Sequence, residues 1–105
     1  MVKGMNKKIG VIGCGNMGEA LLKGLISKSL FNKGRIIASD VSISKLIRIK
    51  KLYHINVTSS NIEVVKKSDI IILAVKPQEM QGLMQEVGPQ TKDKLIITIA
   101  AGVTT

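Results

Sequence analysis

Short apolar runs alternate with amphipathic stretches along the whole chain. Five runs rich in Ile, Val and Leu, at 9–12, 35–39, 55–57, 69–75 and 94–99, read as strands. The run 69–75 is the most hydrophobic, and its length and β-branching mark a central strand buried on both faces. Between the runs, apolar residues recur at helical spacing. Met17, Ala20, Leu21, Gly24, Leu25 and Lys28 form the stripe of a first helix. Behind a Ser42 N-cap, Ile43, Leu46, Ile49, Leu52 and Tyr53 share one side of a second. Ser60 or Asn61 caps a brief third helix through Lys67. Pro77 suits the first turn of a fourth over 78–87, which ends near Gly88-Pro89. Strict strand–helix alternation predicts an α/β fold, a Rossmann-type doubly wound parallel sheet. The expected strand order is 3-2-1-4-5, with right-handed crossovers and helices on both faces.

The first strand runs directly into Gly13-Cys14-Gly15-Asn16-Met17-Gly18, with glycines at the spacing G-x-G-x-x-G. Such a turn alone serves many loops. Here a β-branched strand precedes it and a helical stripe follows, the context of the dinucleotide-binding fingerprint. Gly13 permits the tight turn, Gly15 lets the backbone approach a pyrophosphate, and Gly18 lets the helix pack closely. The pyrophosphate would sit over the free N–H groups at the start of that helix. Asp40 follows the second strand, where such folds place an acid against the adenosine ribose, though later than the usual ~20 residues.

Composition narrows the picture. At 105 residues the chain reads as one dinucleotide-binding domain over 1–105, small for a complete two-substrate enzyme. Phe31 and Tyr53 are the only aromatic residues, so branched aliphatics must build the core. No apolar run approaches the ~20 residues of a membrane span. The basic opening 1–8 looks like the start of a signal peptide but continues straight into the fingerprint, so a cytoplasmic protein is expected. The single cysteine, Cys14, excludes an internal disulfide and a thiolate metal cluster; its small side chain suits compact packing in the turn. His54 reads as an ordinary loop residue, and no metal site is expected. The net charge of +9 is spread over several elements without interleaved aromatics. That describes a solvated basic surface rather than a nucleic-acid site.

Three blocks carry a family resemblance: Gly10-Val-Ile-Gly-Cys-Gly-Asn-Met-Gly-Glu-Ala, Ile72-Leu-Ala-Val-Lys-Pro-Gln and Ile99-Ala-Ala-Gly-Val-Thr. From about Lys8 to Thr104 the chain resembles the N-terminal domain of pyrroline-5-carboxylate reductases. The resemblance implies reduction of 1-pyrroline-5-carboxylate to L-proline by hydride transfer from a nicotinamide cofactor, in proline biosynthesis. It implies cofactor contacts by Ile12, Gly13, Cys14, Gly15, Asn16 and Met17, with Gly18 completing the fingerprint. It adds Asp40, Ser42, Asn61, Ala74, Val75, Lys76, Pro77, Ile99, Ala100 and Ala101. All lie at carboxyl ends of expected strands or in the adjoining turns, one rim of a parallel sheet. Lys76 either steers an anion or is a solvated strand-end lysine. In the family, a C-terminal helical domain supplies the substrate site and the dimer. That domain is absent from these residues, so no catalytic side chain is named. The isolated piece is expected to be inactive, and the full-length protein a homo-oligomer.

The cofactor implied is NADP(H), with NAD(H) as the alternative. Asp40 favours a ribose 2′-OH, and position 41 is Val rather than arginine. Ser39, Ser42, Ser44 and Lys45 surround a helix start that suits an anion. Rival readings are a β-hydroxyacid dehydrogenase, a deazaflavin-dependent NADP reductase, or a free-standing dinucleotide-binding or redox-sensing module. The Ala-Val-Lys-Pro and Ala-Ala-Gly-Val-Thr blocks argue against the first two.

Overall fold

The computed structural model describes residues 7–28 and 32–99. Five parallel strands, β1 (Ile9–Ile12), β2 (Ile36–Ser39), β3 (Asn56–Thr58), β4 (Ile70–Leu73) and β5 (Leu95–Thr98), form one sheet in the order β3-β2-β1-β4-β5. Four helices lie between them: α1 (Asn16–Ser27), α2 (Ile43–Tyr53), α3 (Asn61–Lys67) and α4 (Pro77–Val87). The expected fold class and strand order are those observed.

Period-two alternation sorts the strand residues between two cores. Val11, Ile36, Ala38 and Ile72 face one core with Leu22 and Leu25 of α1 and Leu46 and Ile49 of α2. Ile12, Ile37, Ile71 and Leu73 face the other with Val64 and Val65 of α3 and Leu83 and Val87 of α4. β1 and β2 are buried along their whole length, as a doubly covered parallel sheet requires. Gly10 lets α3 come close, since a Cβ there would stand 2.4 Å from both Val64 Cγ1 and Ser68 Oγ.

Some local expectations need correction. The buried stripe of α1 is Gly18, Leu22 and Leu25, whereas Met17, Ala20 and Lys28 are exposed. The phase is set by Gly18, which must meet the glycine turn, so the helix presents positions 18, 22 and 25 inward. On α2, Leu46 and Ile49 are buried but Ile43 and Leu52 are more than half exposed. The apolar face is narrower than its composition suggests. His54 is no ordinary loop residue: it is the C-cap of α2, in the left-handed region at φ 57°, and its N–H donates to Lys50 O. Arg35 belongs to a 3-10 turn (Lys33–Arg35) rather than to β2, and β4 stops at Leu73, short of Ala74 and Val75.

Ser42 caps α2 as expected, and of the two candidates Ser60 and Asn61 it is Ser60 that caps α3. Ser42 Oγ accepts from Lys45 N–H at 3.3 Å, and Ser60 Oγ accepts from Glu63 N–H at 3.1 Å. Glu19 of α1 ties the first two helices together. Its carboxylate pairs with Arg48 and accepts from the Tyr53 hydroxyl at 2.7 Å.

Candidate functional site

β1 pairs with both β2 and β4, so the chain reverses its direction of progress across the sheet at β1. The helix after β1 packs on one face and the helix after β4 on the other. A crevice must open between them at the carboxyl ends of the strands, where open α/β sheets take their ligands. The structure has a cleft there, of about 760 Å³.

The floor of this cleft is the glycine turn. Gly13 has φ 103°, and a Cβ on it would stand 2.6 Å from Ala74 O. Its N–H donates to Ser39 O at 2.9 Å, while Ala74 N–H donates to Ile12 O at 2.9 Å. The turn is thus laced to both neighbouring strands. A Cβ on Gly18 would stand 1.9 Å from Gly13 O, so only glycine lets α1 begin this close to the turn it leaves. Gly15 differs in kind. It is the N-cap of α1 at φ −72°, a conformation open to any residue, and no atom lies within 4 Å of where its Cβ would be. Its smallness serves no contact inside the protein; it leaves room in the cleft.

The helix ends carry the electrostatics. α2 and α3 start under serine caps, and at α4 the Glu79 carboxylate accepts from Lys76 N–H at 3.2 Å, but no side chain caps α1. Gly15, the N-cap of the uncapped α1, and Lys76, the N-cap of α4, both line the cleft. Unsatisfied N–H groups and the positive dipole end of α1 therefore face it. Glu19, in the first turn of α1, does not cancel this field, because its carboxylate is turned to Arg48 and Tyr53. An anionic group fits this floor, and the cradle at Gly15 is one that a Cβ would fill.

Asp40 follows the end of β2 and fastens the turn to the start of α2. Its Oδ2 accepts from Cys14 N–H at 2.7 Å and its Oδ1 from Ser42 N–H at 2.8 Å. Asn61 opens α3 opposite. Its Oδ1 accepts from the Ser39 hydroxyl at 2.7 Å and its Nδ2 donates to Glu86 at 3.2 Å. Cys14 is turned inward, with Sγ donating to Ser39 O at 3.4 Å. Burial, and secondarily the Asp40 charge, push its thiol up to about 12.

Of the residues expected at the site, Ile12, Gly13, Gly15, Met17, Asp40, Asn61, Ala74, Val75 and Lys76 line the one cleft. Cys14 and Gly18 stand behind the turn, Ser42 anchors Asp40, and Pro77 is the first residue of α4. Asn16 opens α1. Ile99 is half-buried beyond β5, its N–H bonded to Leu73 O at 2.9 Å. Ala100 and Ala101 lie outside the described residues. Lys45, expected at an anion-suited helix start, also lines the cleft, together with Val41, Glu79, Gly82, Leu83 and Glu86, which the sequence reading did not place at the site. Glu79, Gly82, Leu83 and Glu86 fall three and four apart on α4. That spacing was visible in the sequence, and it marks the helix face running along the crevice.

Fold and cleft together define a Rossmann-type doubly wound α/β domain with its crevice at the topological switch point. A family model described as "NADP oxidoreductase coenzyme F420-dependent" matches residues 8–102, and the chain belongs to that family. It is 44% identical over 101 residues to the pyrroline-5-carboxylate reductase of Escherichia coli (strain K12), covering 95% of this chain and 38% of that protein. Among solved structures it is similar to a pyrroline-5-carboxylate reductase from Coxiella burnetii, with TM-score 0.86 and 29% identity over 95% of this chain and 37% of that one. It also resembles the Plasmodium falciparum pyrroline carboxylate reductase with NADP bound, with TM-score 0.79 and 32% identity over 91% of this chain and 34% of that one. The chain therefore spans well under half the length of these relatives.

Proposed function

We propose that this chain is the cofactor-binding domain of a pyrroline-5-carboxylate reductase of proline biosynthesis, holding NAD(P)H in the cleft over Gly13–Gly18. The observation that carries the cofactor reading is Gly15, whose empty Cβ position opens into the cleft at an uncapped helix start. The substrate class rests on the relatives' names and on the 44% identity over 101 residues.

When bound, the reduced nicotinamide supplies a hydride to the C=N carbon of 1-pyrroline-5-carboxylate; the nitrogen takes a proton and L-proline forms. The chain's part is to bind and orient. The first N–H groups of α1 take the pyrophosphate, with Ile12, Gly13, Cys14, Gly15, Asn16, Met17 and Gly18 shaping the backbone beneath it. Asp40, Ser42 and Asn61 form the adenosine end. Ala74, Val75, Lys76 and Pro77, with Ile99, Ala100 and Ala101, form the nicotinamide end. No residue of this chain is assigned to proton transfer. The substrate-contacting groups belong to the part of the relatives that these residues do not match. The same reading makes the whole protein a cytoplasmic homo-oligomer with no nucleic-acid partner.

The test is a titration of the 105-residue chain with NADH and NADPH, followed by an assay for proline. Saturable binding of at least one dinucleotide without turnover is expected. No binding of either contradicts the cofactor reading, and steady proline formation contradicts the assignment of the substrate groups.

A further inference from the structure

Basic residues that are scattered along the chain are gathered by the parallel sheet at one end. Each of the five strands is entered through a basic pair. Lys7 and Lys8 precede β1, Lys33 and Arg35 precede β2, and Lys92 and Lys94 precede β5. Lys50 and Lys51 fill the last turn of α2 ahead of β3, and Lys66 and Lys67 that of α3 ahead of β4. Because all five strands run the same way, the pairs share the amino-end pole, opposite the cleft over the glycine turn. Helix dipoles explain the lysines that end α2 and α3, but the pairs before β1, β2 and β5 terminate no α-helix. Around the cleft the balance is different, with Asp40, Glu79 and Glu86 beside Lys45 and Lys76.

Asp69 sits among these cations. Its Oδ2 accepts from Lys8 N–H at 2.9 Å, and its carboxyl is held below its ordinary 3.8 first by that bond and also by the charges of Lys7, Lys94 and Lys8. Lys94 Nζ is fixed against two neutral carbonyls, Ser68 O at 2.6 Å and Lys66 O at 3.4 Å. Beside them a groove of about 360 Å³ runs along α3, with Ile37 and Val57 in its lining and Lys8, Arg35 and Lys67 around it. Glu63 is the one acid among its lining residues, and Lys67 holds that carboxylate at 2.7 Å. The pole therefore offers a cationic rim around an apolar floor.

We infer that the amino-end pole docks an acidic segment of a partner protein, with its carboxylates at Lys8, Arg35 and Lys67 and one aliphatic side chain seated in the groove. Charge complementarity steers the segment to the pole, and burial of the aliphatic group on Ile37 and Val57 fixes its register. A phosphodiester backbone or a lipid headgroup satisfies the rim but leaves the apolar floor unfilled. Docking here also leaves the cleft at the other end of the strands open, so partner and dinucleotide bind together.

The probe is a fluorescein-labelled peptide of aspartates and glutamates around one central leucine, titrated with the 105-residue chain and read by polarisation. Saturable binding at about 50 mM salt is expected, with amide shifts at Lys8, Arg35, Val57 and Lys67 rather than at the glycine turn. Alanine in place of the peptide's leucine should weaken binding at least ~threefold, because the apolar floor loses its occupant. Lys8→Glu should weaken it at least ~fivefold, and Lys67→Glu likewise, so the test survives if one variant does not fold. Lys23→Glu on α1 makes the same change in net charge and should cost less than ~twofold. No binding, or shifts at the glycine turn, overturns the inference. Equal losses at Lys8 and Lys23 would assign the binding to net charge alone and overturn it too. Equal affinity for the leucine and alanine peptides removes the groove from the role. Tighter binding of single-stranded RNA or of phosphatidylserine vesicles than of the peptide contradicts the choice of partner.

Discussion

The carbonyl oxygen of Gly13 occupies the space that a side chain at Gly18 would need, 1.9 Å from the position of its Cβ. Two fingerprint glycines thus serve each other, and the third, Gly15, serves only the cleft. Gly18→Ala pushes a methyl against backbone and should cost at least ~2 kcal/mol of stability. Gly15→Ala meets nothing and should cost under ~1 kcal/mol, the scale of an N-cap change, while weakening dinucleotide binding at least tenfold. Urea unfolding and dinucleotide titration of both variants check this split. A destabilised Gly15→Ala that still binds would reverse the assigned roles.

Ser68 Oγ is the one buried side-chain oxygen without a partner among the described residues. Ser68→Ala removes an unsatisfied hydroxyl and should raise stability by about 1 kcal/mol. Gly10→Ala aims its Cβ at the same hydroxyl and at Val64, and overpacking should cost about 1–3 kcal/mol. A double-mutant cycle should show the pair coupled, with Ser68→Ala recovering part of the Gly10→Ala loss. Strict additivity would contradict the contact.

Glu19 joins α1 to α2, and its carboxyl is held below its ordinary 4.5, first by the hydrogen bond from Arg48 and then by that from Tyr53. A carboxyl depressed in the folded state stabilises fully above its unfolded pKa and loses that contribution as pH falls through the folded value. Glu19→Gln should therefore destabilise the protein near pH 7, with the difference shrinking as pH drops below about 4.5. Unfolding curves across pH check it. A difference that does not change with pH would place the effect in packing rather than charge.

Cys14 is buried and its thiol is pushed up to about 12, so thiolate is scarce at pH 8. The native chain should resist iodoacetamide and label only on unfolding. Rapid native labelling would contradict the packed role of this side chain.

Much of this was legible in the sequence because the signals were local. Strand–helix alternation carried the topology, Ser42 announced the start of α2, and the start of α3 was narrowed to Ser60 or Asn61. The three glycines located the turn. Relations between distant segments were not legible. Nothing near Gly18 states that it meets Gly13, so of the expected α1 stripe Leu21 and Leu25 pack on the core while Met17, Ala20 and Lys28 face outward. Nothing near Asp40 states that its carboxylate is spent on Cys14 and Ser42 N–H groups. The α4 wall of the cleft, Glu79 to Glu86, is written in helical spacing. It becomes part of the site only once β4 is paired beside β1.

Whether a dinucleotide lies over the glycine turn is read most directly from backbone amide shifts of the 15N-labelled chain on titration with NADH. The largest shifts should fall at Gly13, Gly15 and Gly18, at Asp40 and Asn61, and at Ala74 to Lys76 on the rim. A second cleft, of about 360 Å³, sits at the other end of the strands beside Lys8, Asn56 and Lys67 and serves as an internal control. Shifts concentrated there, or none at the glycine turn, would contradict the placement of the cofactor.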